Sequence, residues 1–131
     1  MPLQRVLFIC VGNACRSQMA EGFARSYGKD VMIPESAGLA PAIAVPVETR
    51  DTMAEKNIDI SPQFPKPLSF VSSRQFDLVV NMSGYPAPNY PLAAEWKVSD
   101  PIGGTVEQYR IVRDQIEGLV MKIILDFRRK K

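Results

Sequence analysis

The chain contains no histidine and only two cysteines, Cys10 and Cys15. Without histidine the commonest general base is missing, so proton transfer near neutral pH falls to Asp, Glu, Tyr, Cys or water. Two thiols and no imidazole make a poor ligand set for zinc or another transition metal, and neither a metal nor an organic cofactor is expected. No apolar run approaches the length of a membrane span. The N-terminus enters a strand pattern directly, without the longer apolar core and cleavage site of a signal peptide. Net charge is only +2, too little to imply a nucleic-acid partner. The basic tail Arg128-Arg129-Lys130-Lys131 reads as a solvated helix end that suits the helix dipole. A cytoplasmic protein with neither membrane nor nucleic-acid partner is the expectation. Its 131 residues, 46% hydrophobic and 23% charged, suit one domain spanning 1–131.

What is present is concentrated in residues 6–21. Val6 to Ile9 is a short apolar run of β-formers, the pattern of a strand buried on both faces. From Ser17 onward Met19, Ala20, Phe23, Ala24 and Tyr27 recur at helical spacing. Between them lie Val11, Gly12, Asn13, Ala14, Cys15 and Arg16, and both Gly12 and Asn13 tolerate a positive φ. Such a loop aims consecutive backbone N–H groups at one point before a helix N-terminus, which makes an anion site. A free thiol is a weak nucleophile at neutral pH, but a helix N-terminus and a nearby cation activate it. Cys10 stands at one end of the loop. At the other, Arg16 offers paired planar donors for two oxygens of a tetrahedral oxyanion, and Ser17 offers a hydroxyl. A thiolate facing a caged phosphate can attack phosphorus and form a phosphocysteine.

Cys10-Val-Gly-Asn-Ala-Cys-Arg-Ser resembles the Cys-x5-Arg-Ser loop of the low-molecular-weight protein tyrosine phosphatases. The same loop belongs to the thioredoxin-coupled arsenate reductases built on that fold. Gln18 and Gly22 look more like the arsenate reductase branch, and weaker agreement covers nearly the whole chain. The resemblance implies that Ser36 supports Asn13 and that Asp100, in an Asp-Pro pair after the last strand, is the general acid. It also marks two departures. The reductases of this branch carry a cysteine where Ser83 stands, with another a few residues on. Tyrosine-specific relatives carry an aromatic rim where this chain has the aliphatic stretch 40–46 and Ile102-Gly103-Gly104.

Along the rest of the chain, Gly28 is a natural helix stop and Val31-Met32-Ile33 reads as a second strand, followed by a turn at Ser36-Ala37-Gly38. Pro46 opens a helix with Val47 and Thr52-Met53-Ala54 inward, and Asn57 caps its end. Pro62, Pro65 and Pro67 leave residues 62–75 irregular or with a short helix near Val71. Phe76 to Asn81 contains the third strand, and Glu95 to Val98 reads as a fourth, edge-type strand with Trp96 in the core. Met82-Ser83-Gly84 falls on the ligand-bearing edge of such a sheet, next to a stiff loop carrying Tyr85 and Tyr90. Thr105 and Gln108 form a capping box for a long helix with Tyr109, Val112, Ile116, Leu119, Val120, Ile123 and Phe127 on one stripe. The sum is an α/β fold of three layers, a four-stranded parallel sheet with helices on both faces.

These residues point first to a cysteine-dependent hydrolase of a phosphate monoester or phosphoprotein, phosphotyrosine included. Cys10 is the nucleophile, Arg16 and the amides of 11–16 the cradle, and Asp100 the acid. The alternative is arsenate reduction at Cys10, with Cys15 or an external thiol donor as the second thiol. A third reading is a non-catalytic oxyanion or thiol-redox sensor using Cys10 and Cys15.

Overall fold

β1 (Gln4–Cys10) runs through the middle of the molecule, and Val6, Leu7, Phe8 and Ile9 are all completely buried. A strand covered on both faces has no need to alternate polar with apolar residues, which is why the run is continuous. In this computed structural model residues 2–130 are described, so the last basic residue of the tail, Lys131, lies outside them. The order of elements is β1, α1 (Arg16–Tyr27), β2 (Met32–Gly38), α2 (Val47–Ala54), a 3-10 helix (Leu68–Phe70), β3 (Leu78–Asn81), β4 (Ala94–Glu95) and α3 (Val106–Arg129). The four strands form one parallel sheet in the order β2-β1-β3-β4.

Val6, Phe8 and Cys10 face a core built with Met19, Phe23, Met53, Ile116, Val120 and Ile124, from the three α-helices. Leu7 and Ile9 face the other way, into a smaller core with Ala37, Val71 and Ala87. That side is closed by the 3-10 helix and by the proline-rich loop after β3, which brings Ala87 and Tyr90. Each large apolar side chain so buried contributes about 1.5–3 kcal/mol, which makes β1 and its two faces the stable frame of the site. Thr105 caps α3 as a full capping box: its hydroxyl accepts from the Gln108 amide at 3.2 Å, and the Thr105 amide donates to Gln108 Oε1 at 2.8 Å.

Several boundaries differ from the sequence reading. Ser36-Ala37-Gly38 is the end of β2 and not a turn, pairing with Phe8, Ile9 and Cys10. Three small residues let the strand lie close beside the loop that follows Cys10. β4 is only Ala94–Glu95, so Glu95 to Val98 is not a regular strand, although the Trp96 amide still donates to Asn81 O at 3.0 Å. The alternation there reflects Trp96 packing against Phe8, ring centroids 5.9 Å apart, and not a further ladder. α2 ends at Ala54, and Asn57, at φ 61°, closes the turn three residues later.

Candidate active site

The chain leaves β1 at Cys10 and enters α1 at Arg16. Between them the carbonyls of Cys10, Val11 and Gly12 accept the amides of Leu39, Ala40 and Ala42 at 3.1, 2.8 and 2.9 Å. In a planar trans peptide the following N–H points opposite its carbonyl, so the amides of Val11, Gly12 and Asn13 turn away from residues 39–42. Asn13 sits at φ 49° and is fully buried. Its carbonyl accepts from Gln18 Nε2 at 2.9 Å, and its side-chain Oδ1 accepts the Lys66 amide at 3.0 Å. Asn13 Nδ2 donates to Ser17 Oγ at 2.7 Å, and that oxygen lies 2.9 Å from Cys10 Sγ. With Ser17 already accepting from Asn13, its own proton is left to aim at the sulfur.

Arg16 opens α1 almost fully buried, with Nη1 donating to the carbonyls of Met82 and Val98, the latter at 3.1 Å. Those carbonyls lie just beyond β3 and two residues before Asp100, so the carboxyl-terminal edge of the sheet holds the guanidinium. Nη2 lies 3.8 Å from Asp100 Oδ2, and the Asp100 side chain is half exposed. Asp100 Oδ1 accepts the Ile102 amide at 3.0 Å, which fixes the carboxylate above the loop. Cys10, Val11, Gly12, Ala14, Cys15, Arg16, Ala42, Pro46, Asp100 and Ile102 enclose a hollow of about 230 Å³. Its outer wall, Ala42, Pro46 and Ile102, is aliphatic.

The second thiol has a different setting. Cys15 is 2% exposed and lies 3.8 Å from Met19 Sδ, and burial pushes its pKa up to about 12. Ser36 does not brace Asn13: its hydroxyl donates to Glu21 Oε1, and the bracing falls to Ser17, Gln18 and Lys66. The reason is reach, because β2 delivers Ser36 beside the buried carboxylate on the second turn of α1. Ser83 is buried in a closed turn, donating to Asn81 Oδ1 at 2.7 Å and to Tyr85 O at 3.0 Å. Tyr85 is exposed, and Tyr90 packs edge-on against Phe76, so neither lines the hollow. Among the described residues no group of three His, Cys, Asp or Glu could hold a metal ion, and no helix is long and apolar enough to cross a membrane.

Sequence reasoning missed Lys66, Glu21, Gly38 and the carbonyls of Met82 and Val98. A Cβ at Gly38 would meet Val11 O at 2.7 Å and Asn13 N at 2.8 Å, so only glycine fits beneath the loop. Lys66, Gly38 and the two carbonyls come to the loop or its arginine from other elements, where no local signal marks them, while Glu21, on α1 itself, holds Ser36 and Lys66.

A thiol at the end of a central parallel strand, a loop of turned amides and an arginine entering the next helix define a cysteine-based enzyme of oxyanion chemistry. The chain belongs to the family described as low molecular weight phosphotyrosine protein phosphatase, which it matches over residues 5–131. It is 33% identical over 129 residues to a protein of Synechocystis sp. named glutaredoxin arsenate reductase, covering 93% of this chain and 97% of that one. A solved structure described as an arsenate reductase in the phosphate binding state superposes with a TM-score of 0.88 at 32% identity, covering 95% of this chain and 99% of that one. A low molecular weight protein tyrosine phosphatase from T. tengcongensis superposes with a TM-score of 0.78 at 31% identity, covering 94% and 99%.

Proposed function

We propose that the protein reduces arsenate at Cys10, with thiols of other molecules supplying the electrons. The observation that supports this reading is the near full-length similarity to proteins named arsenate reductase, which outweighs the hydrolase reading of the sequence. In the first step the Cys10 thiolate attacks arsenic, an S–As bond forms, and one arsenate oxygen leaves as water after protonation. The loop amides and Arg16 hold the remaining oxygens. A thiolate from outside then attacks Cys10 Sγ. The S–As bond breaks with its electron pair on arsenic, arsenite leaves, and a mixed disulfide remains on Cys10. A second external thiol attacks that disulfide, releasing the oxidised donor and returning the Cys10 thiolate. Two thiols are oxidised for each arsenate reduced.

Both electrons come from outside because the chain offers no competent second thiol. A serine occupies position 83, and Cys15 is held protonated by its burial at neutral pH. The second reading, hydrolysis of a phosphate monoester through a phosphocysteine, is favoured by Asp100, which lines the hollow half exposed beside Arg16 and in that reaction would protonate the leaving oxygen. Arsenite formation is measured with dithiothreitol, with glutathione plus glutaredoxin, and with thioredoxin, beside turnover of an aryl phosphate. Thiol-dependent arsenite is the expected result. Aryl phosphate turnover without arsenite from any donor would replace the first reading with the second. Turnover of neither substrate would leave a non-catalytic oxyanion site.

A further inference from the structure

Lys66 is a buried cation that neither reaction uses. Its side chain is only 9% exposed, and Nζ stands 3.8 Å from Glu21 Oε1 and donates to Phe64 O at 3.2 Å. The ammonium also lies 4.9 Å from the centroid of the Phe64 ring. Burial lowers its pKa, Glu21 of α1 and Glu35 of β2 raise it, and Arg25 of α1 and Arg74, which follows the 3-10 helix, lower it. A desolvated ammonium is tolerated only where fixed partners replace its water, so Lys66 ties residues 64–66 to α1.

The backbone of the same residue reaches the anion loop. Lys66 N donates to Asn13 Oδ1 at 3.0 Å, and Lys66 O accepts the Gly38 amide at 2.8 Å. A second arm arrives through Phe64, whose carbonyl accepts Gln18 Nε2 at 3.0 Å while that same nitrogen donates to Asn13 O. Both polar groups of Asn13 that accept hydrogen bonds are therefore held, directly or through Gln18, by a segment that the ammonium anchors. From Asn13 the chain of contacts runs through Ser17 to Cys10.

We propose that Lys66 is a positioning residue for oxyanion binding: its ammonium, held between Glu21 and the Phe64 carbonyl, keeps residues 64–66 against Asn13, so that the loop amides are aimed before the anion arrives. This rests on the reading of the Cys10 loop as an oxyanion cradle, and not on which reaction follows. Inorganic phosphate is the probe. Calorimetric titration is run on the unaltered protein, on Lys66→Met, on Lys66→Gln and, for comparison, on Arg113→Met, which removes a buried cation from the α2–α3 contact.

Lys66→Met is expected to bind phosphate about tenfold more weakly, the size of one lost charge-assisted hydrogen bond. Lys66→Gln, which keeps a donor for the Phe64 carbonyl without the charge, should fall between. Arg113→Met should lower the melting temperature and leave phosphate affinity unchanged. On the unaltered protein, phosphate should slow hydrogen exchange at the Lys66 amide together with that of Asn13. Parent-like phosphate affinity in both Lys66 variants would overturn the proposal, as would a Lys66 amide indifferent to phosphate, a result that needs no variant to fold. An unaltered protein that binds no phosphate would remove the cradle reading, and the role of Lys66 with it.

Discussion

Gly38 lies so close beneath Asn13 that a Cβ on it would stand 2.9 Å from the Asn13 Cβ. Neither neighbour can yield cheaply: Asn13 is already in the left-handed region, and its side chain is bonded on both polar ends. Gly38→Ala should therefore displace the loop, destabilise the fold by about 1–3 kcal/mol and weaken phosphate binding. Thermal melts and phosphate titration measure the two effects. Unchanged values for both would mean that the loop moves freely and that the cradle is not preformed.

Cys10→Ser should abolish turnover of every substrate while retaining phosphate binding, because the amides of the loop and Arg16 survive the change. Arg16→Lys should reduce turnover by about 10²–10³, since a single ammonium cannot hold the Met82 and Val98 carbonyls and also present paired donors to the anion. Steady-state kinetics and calorimetry with phosphate check both. Residual activity in Cys10→Ser would place the nucleophile elsewhere.

A clamp remote from the site supplies an acid-sensitive part of the stability. Glu55 joins α2 to α3 through Arg110 and Arg113, at 2.8 and 2.6 Å, and these partners hold its carboxyl at about 2 against an ordinary 4.5. A carboxylate with a depressed folded-state pKa contributes fully above its unfolded value and loses that contribution as pH falls through the folded one. Melting temperature should therefore drop between about 4.5 and 2, and Glu55→Gln should flatten that part of the profile. An identical acid limb in the variant would assign the loss to other carboxylates.

What could be read from the sequence was the part that is local in the chain. Val6 to Ile9, the turn residues Gly12 and Asn13, and the helix that starts at Arg16 are contiguous, so period and residue type were enough. Asp100 was singled out through the family resemblance and not by its neighbours alone, since an Asp-Pro pair taken by itself reads as a turn. Lys66 was not, because its reach to Asn13 spans 53 residues and depends on how 62–67 folds back. Gly28 stands where a helix stop was expected, but for a different reason. Its φ is an unremarkable −119°, and a Cβ there would crowd Ile124 of α3 at 3.0 Å. Ser36 carried the right kind of group to the wrong partner, since which buried acceptor a hydroxyl finds is decided by packing. The fourth strand was overread because alternation reports which side chains are covered, not which amides are paired.

Asp100→Asn separates the two reactions at one residue. In arsenate reduction the external thiolate attacks Cys10 Sγ and arsenite leaves the sulfur with the bonding pair. The only oxygen to depart is the one lost as water in the first step, which draws its proton from arsenate hydroxyls or solvent and needs no acid held for an ester oxygen. In phosphate ester hydrolysis an acid matters in proportion to the charge left on the departing oxygen. The Asp100 carboxylate is half exposed and 3.8 Å from Arg16, a position from which it faces the mouth of the hollow and not its floor. If arsenate reduction is the reaction, the variant should keep most of its thiol-dependent arsenite formation. If ester hydrolysis is the reaction, turnover should fall most for alkyl phosphates and least for aryl phosphates with acidic leaving groups. The measurement is kcat/KM for arsenate with a fixed thiol donor, beside a series of phosphate esters graded by leaving group. An equal loss across arsenate and every ester would make Asp100 a partner of Arg16 that orders the cradle, with no proton of its own to give.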